Sequence, residues 1–173
     1  MNYYSTYHSP IGELFLVSDG AVLTGLFFDA ENELVQKDLN PTPDLKEPLP
    51  VFETTNHWLD IYFRGEKPNF FPEVGFHDTP FREEVWELLK DIPYGETVSY
   101  GDLAKKIAAH RGMKKMSAQA IGGAVGKNPI SIIIPCHRVI GTDGSLIGYG
   151  GGMDRKKYLL ELEGIQINDK TDR

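Results

Sequence analysis

The sequence predicts an α+β fold in two parts. Residues 1–78 form an N-terminal antiparallel-sheet domain with one helix, and residues 79–173 a helical C-terminal domain holding a winged helix-turn-helix and the only cysteine of the chain. Three observations carry this reading. Short runs rich in Tyr, Phe, Leu and Val alternate with turn signals near the start. A proline-dense stretch follows. Beyond residue 79 the apolar residues recur at helical spacing behind good N-cap residues.

The strands come first: "NYYSTYHS", "GELFLVSD" and "AVLTGLFF", divided by the turns "SPIG" and "DG". The linker "NPTPDLKEPLP" has four prolines in eleven residues, which neither a helix nor a central strand accepts. "VFETTNHWLDIYFRG" then places Phe52, Trp58, Ile61 and Tyr62 near one face of a helix closed by Gly65. In the second part, Thr79 caps a helix with Pro80 at its first position and Phe81, Val85, Leu88 and Leu89 on the core stripe. Ser99, with Asp102 three residues on, starts a second helix, and Ser117 caps a third, "SAQAIGGAVGKN". Its Ala118, Ala120, Gly122, Gly123 and Ala124 make it thin enough to approach another surface closely. Two short helices joined by a basic connection outline a helix-turn-helix.

Composition narrows the function classes. At 40% hydrophobic and 25% charged the chain reads as soluble and globular. "MNYYSTYHSPIGELF" lacks the basic start and apolar core of a signal peptide, and no run nears the roughly 18 apolar residues of a membrane span. A single cysteine excludes an intramolecular disulfide and any zinc site of several thiolates, and points to a reducing, cytoplasmic setting. His8, His57 and His77 are scattered, so no metal is expected. The net charge of −7 is unevenly spread: residues 1–79 sum to −9, residues 80–173 to +2, and residues 90–140 to +5. A basic patch on an acidic protein can steer toward phosphate.

The cysteine stands in "SIIIPCHRVI", where Pro135 breaks a β-favouring run and His137 and Arg138 follow. A reactive thiol needs a base, and imidazole is the usual one. In an extended strand adjacent side chains face opposite ways, so Cys136 and His137 need a bridging water or a bend at Pro135. Glu163, in "LLELEG", is a candidate to hold the imidazole tautomer. On these residues alone Cys136 stays open between a nucleophile and a buried structural thiol. A cysteine hydrolase using Cys136 and His137 is the rival enzyme class, although no oxyanion motif accompanies it.

Five ordered motifs, "VSYGDLA", "AIGGAVGKNP", "IPCHRVIG", "GYGGG" and "LLELEG", closely resemble those of the 6-O-alkylguanine-DNA alkyltransferases, the methylated-DNA–protein-cysteine methyltransferases of direct repair. The resemblance is strong over residues 79–164 and general over the N-terminal half. It implies irreversible transfer of an alkyl group from oxygen-6 of a flipped-out guanine, with 4-O-methylthymine as a second candidate substrate, to Cys136 in one turnover. By the same resemblance His137 is the base acting through a water, and Glu163 orients it. Asn128 holds the active-site turn, and Tyr100 helps the departing base take a proton. Arg138 is a structural hydrogen-bonder, Val139 a pocket wall, and Tyr149 and Gly150 pack over the base. With His137 and Glu163 so placed, the thiol pKa is expected below its ordinary value. Relatives that only sense damage lack the cysteine, which sets this chain apart from them.

"SAQAIGGA" is then the helix that enters the minor groove, with Ala120 and Gly123 allowing close approach. The chain departs from the family pattern at three places. Gln119 stands where an arginine finger is usual, and Gly150 where many members have serine. The connection "KKIAAHRGMKKM" is longer and basic, offering Lys105, Lys106, Arg111, Lys114 and Lys115 to phosphates. The implied partner is double-stranded DNA containing alkylated guanine, bound by a monomer with no cofactor and no membrane, in the cytoplasm or, in a prokaryote, the nucleoid.

Overall fold

The computed structural model describes residues 2–28, 39–41 and 48–167. The chain divides into two compact units, Met1–His77 with Pro129–Ser131, and Asp78–Asn128 with Ile132–Arg173.

The first unit is built on a four-stranded sheet in the order β3-β2-β1-β4. β1 (Asn2–Ser9) and β2 (Gly12–Ser18) pair antiparallel from Tyr3–Ser18 to Ser9–Gly12, and β3 (Leu23–Phe28) pairs antiparallel with β2. These are the three strands the turn signals delimit. β4 (Leu39–Pro41) was not anticipated: it lies parallel to β1 at the sheet edge, where proline's missing N–H is tolerated. The rest of the linker, 42–47, falls outside the described residues. Its last proline, Pro50, is the first residue of helix α1 (Pro50–Phe63), where a fixed φ suits the helix start. Phe52, Trp58 and Tyr62 are buried on α1 as expected; Ile61 is only half-buried, and Leu59 and Val51 complete the face. Tyr7 ties β1 to this helix, its hydroxyl donating to Asp60 Oδ1 at 2.7 Å. Leu14–Ser18 of β2 are buried without alternation, the pattern of a strand covered on both faces. The free side of β3 is extended by single bridges: Leu26 N–H donates to Pro129 O and Ser131 N–H to Leu26 O, each at 2.9 Å.

The second unit is helical. α2 (Pro80–Lys90), α3 (Tyr100–His110) and α4 (Ala118–Gly126) begin at the predicted caps: Thr79, Ser99 and Ser117 each accept from the amide three residues on. α4 packs against α2 and α3. On α2 the core residues are Val85, Trp86 and Leu89, while Phe81 and Leu88 are half-buried. Trp86 fills the space beside α4 and donates its indole N–H to Ala124 O at 2.8 Å. A two-stranded parallel pair, β5 (Val98–Ser99) and β6 (Val139–Ile140), and a last helix α5 (Met153–Leu162) complete the unit. Among the described residues no helix is long and apolar enough to cross a membrane.

Candidate active site

The β-favouring run before the cysteine is not a strand. Residues 131–134 are turns, and Ile132 sits at φ 68°, a left-handed conformation that costs a β-branched residue about 1–3 kcal/mol. Pro135 (φ −82°, ψ 63°) is the centre of an inverse γ-turn, closed by the Cys136 amide donating to Ile134 O at 2.8 Å. Cys136–Arg138 then form one turn of 3-10 helix, and the Arg138 amide donates to Pro135 O at 2.9 Å. The chain therefore bends at the proline corner immediately before the adjacent cysteine and histidine.

Asn128, just past α4, fastens this corner. Its Nδ2 donates to Ile134 O at 2.8 Å, and its side chain hydrogen-bonds the Cys136 thiol. The strained run from Ile132 to Cys136 is held by a hydrogen bond across six residues.

Behind the cysteine lies a buried charge set. His137 is fully buried, and its Nε2 lies 2.6 Å from Glu163 Oε2. Arg138 donates through Nε to Glu163 Oε1 at 2.8 Å and through Nη1 to Ile92 O at 2.8 Å. The Gly95 amide donates to the same Oε1 at 3.0 Å. Glu163 caps α5 at its C-terminus and is buried, not solvated. Burial would raise its carboxyl, but the hydrogen bonds from His137 and Arg138 and the charge of Arg138 outweigh that and bring it down to about 2. Burial depresses His137, with Glu163 opposing, so the imidazole is neutral near pH 7. A carboxylate is an acceptor only, so Nε2 carries the proton and the ring's lone pair sits on Nδ1.

The expectation of a lowered thiol pKa is overturned. Burial pushes the Cys136 thiol up, because a thiolate there loses its hydration. The Asn128 hydrogen bond, the charge of Lys156 and the local amides oppose this without overcoming it. The resting group is a neutral thiol.

Lys156 was missed by sequence reading. It is fully buried, and Nζ donates to Val139 O at 2.7 Å, Ile147 O at 3.2 Å and Gly148 O at 3.3 Å. Burial brings it down to about 8, with Cys136 acting in the opposite sense. The signal was present: Lys156 precedes Leu159 and Leu160 by three and four residues, on the apolar stripe of α5. Tyr100, the first residue of α3, places its hydroxyl 3.4 Å from Ile147 O, the carbonyl Lys156 also binds. Burial raises the Tyr100 pKa, and a thiolate at Cys136 adds to it.

The fold therefore brings Cys136, Asn128, His137, Arg138, Glu163, Lys156 and Tyr100 into one cluster, with the side chain of Val139 fully buried beside them. Tyr149 is half-buried and Gly150 exposed in the loop before α5, and a Cβ at Gly150 would meet open space. Gln119, Ala120 and Gly123 lie on the exposed face of α4, and Lys114 and Lys115 are exposed in the connection before it. Arg111 departs from its expected role. Its Nε is 2.8 Å from Glu84 Oε2 and its guanidinium lies over the Phe81 ring, so its charge is already matched within the protein.

These features define a class: a buried thiol backed by a histidine–carboxylate pair, in an α-helical domain with a thin exposed helix. The model of the 6-O-methylguanine DNA methyltransferase DNA-binding domain matches residues 80–165, and that of the family's ribonuclease-like domain matches residues 2–73. The chain is 42% identical to the methylated-DNA–protein-cysteine methyltransferase of Haemophilus influenzae, over 97% of this chain and 89% of that protein. It is 44% identical to the protein of the same name from Mycobacterium bovis, over 94% and 93%. A solved Mycobacterium tuberculosis O6-methylguanine methyltransferase superposes with a TM-score of 0.80 at 44% identity, covering 99% of this chain and 98% of that one. A structure of the Mycobacterium tuberculosis protein with DNA gives 0.79 at 44% identity, covering 93% and 92%. The chain belongs to the 6-O-methylguanine DNA methyltransferase family, whose reaction is alkyl transfer in DNA repair.

Proposed function

We propose that Cys136 is the acceptor in a stoichiometric repair reaction. The observation that carries this is the cluster itself: a thiol held by Asn128, beside a neutral histidine whose proton is fixed on Nε2 by Glu163. The Cys136 proton passes to His137 Nδ1 through a water. The sulfur then attacks the alkyl carbon on oxygen-6 of guanine, the C–O bond breaks, and the departing base gains a proton with help from Tyr100. The product is a thioether with no neighbouring group able to cleave it, so each molecule reacts once. A thiol that is neutral at rest is consistent with this, since ionisation is needed only when the substrate is in place.

On this reading α3 and α4 act as the helix-turn-helix. α4 lies in the minor groove, Ala120 and Gly123 permit close approach, and Gln119 fills the space left by the flipped nucleotide. Lys114 and Lys115 contact phosphates. Tyr149 and Gly150 cover the base, Val139 walls its pocket, and Arg138 and Glu163 hold the base-accepting machinery. The protein acts as a monomer in the cytoplasm on DNA containing alkylated guanine. The test is intact mass and peptide mapping after incubation with duplex containing 6-O-methylguanine. One methyl on Cys136, and none in Cys136→Ala despite retained duplex binding, is the expected result. Turnover, or a methyl elsewhere, refutes it.

A further inference from the structure

The connection between α3 and α4 builds a groove that alkyl transfer leaves unused. α3 ends in a Schellman motif: Gly112, at φ 65°, donates its N–H to Ala109 O at 3.2 Å, and the Met113 N–H returns to Ala108 O at 2.8 Å. That reversal lays Met113 and Met116 along the side of α3 that carries Ala104 and Ala108, and alanine side chains are too short to fill the gap. A hollow of about 550 Å³ remains. Met113 is left 48% exposed beside it. Lys105, Lys114 and Lys115 also line the hollow, all three are exposed, and none forms an ion pair among the described residues.

We propose that this groove docks a partner protein through a short acidic segment carrying an apolar anchor side chain. The floor, made of alanine methyls and methionine side chains, has little to offer a hydrogen-bonding ligand and suits an apolar one; methionine adapts its shape to what it meets. The rim is uniformly cationic, within a stretch of charge +5 in a chain of −7, so the complementary flank is carboxylate. A nucleic-acid backbone would use the lysines and leave the apolar floor in water. Carboxylates beside an apolar anchor satisfy both. Because Lys114 and Lys115 are also the proposed phosphate contacts, the partner is released as duplex is engaged, which suits delivery to DNA.

The probe is a fluorescein-labelled hexapeptide, Asp-Asp-Asp-Leu-Leu-Phe, titrated with the full chain and followed by anisotropy. Saturable binding is expected, weakened by salt and by unlabelled undamaged duplex. Binding should fall at least about tenfold when the three apolar residues of the peptide become serine, and equally in Ala109→Phe, which fills the groove from an exposed position without touching a lysine. Met113→Ser, a second exposed position, should give the same loss if Ala109→Phe folds poorly. Alkyl transfer to Cys136 should be unchanged in both variants. No binding, equal binding of the serine peptide, or binding unaffected by both variants overturns the proposal. A loss of duplex affinity in Ala109→Phe as large as the loss of peptide affinity also overturns it, and assigns the groove to nucleic acid.

Discussion

Replacing Glu163 by glutamine tests the buried charge set directly. The carboxylate offers two acceptor oxygens, Oε2 to His137 and Oε1 to Arg138 and the Gly95 amide. A carboxamide offers one, so either His137 Nε2–H or Arg138 Nε–H must face an NH₂ group. The Arg138 cation, buried and deprived of its anion, then dominates the cost; removing one partner of a buried pair destabilises by about 3–5 kcal/mol. Linkage gives a similar figure independently. A carboxyl brought from 4.5 to about 2 on folding contributes roughly 3 kcal/mol. Because the folded pKa is the lower one, this stability is complete above about pH 4.5 and is lost as the pH falls toward 2. The assay is thermal unfolding of wild type and Glu163→Gln by circular dichroism between pH 7 and pH 3. At neutral pH the variant should melt about 6–20 °C lower, taking roughly 2–4 °C per kcal/mol for a chain of this size. The gap should narrow as the pH drops below 4.5. Single-turnover transfer should slow as well, since the histidine tautomer is no longer fixed. An unchanged melting temperature, or a gap that does not narrow in acid, would refute the account of Glu163 as the anion that holds His137 and Arg138.

Other outcomes follow from the same geometry. Lys156→Met keeps the apolar stem but strands the buried carbonyl of Val139 and takes a donor from Ile147 O and Gly148 O, so the protein should lose about 1–3 kcal/mol, and iodoacetamide labelling of Cys136 should shift to higher pH as a neighbouring cation is lost. Gly150→Ser meets open space at a position outside the left-handed region, so stability should stay within about 0.5 kcal/mol while transfer from duplex quickens; a slower rate would show that the hydroxyl does not reach the substrate oxygen. Gln119→Ala should slow repair of duplex more than reaction with free 6-O-methylguanine base, which needs no flipping, and equal slowing would remove Gln119 from the wedge role. Replacing Lys114 and Lys115 together should weaken damaged and undamaged duplex alike and flatten the salt dependence of log affinity by about two units, measured by fluorescence titration.

What the sequence by itself determined is what neighbours within about four residues decide. The strands β1 to β3 follow from β-favouring runs cut by Pro10–Gly12 and Asp19–Gly20. The starts of α2, α3 and α4 follow from hydroxyl caps whose partners lie three residues away. The residues around Cys136 left its role open between nucleophile and structural thiol, and the resemblance carried by five ordered motifs assigned it to alkyl transfer. The tertiary structure decided the rest. Glu163 meets His137 and Arg138 across 26 and 25 residues, and whether it is a solvated helix end or a buried anion depends on that meeting. Lys156 is held by carbonyls 8 to 17 residues away, and Arg111 is paired with Glu84, 27 residues back. The thiol's protonation was misjudged for the same reason. A histidine next in sequence argues for a thiolate, but desolvation is set by everything packed around the sulfur, and no local pattern encodes it.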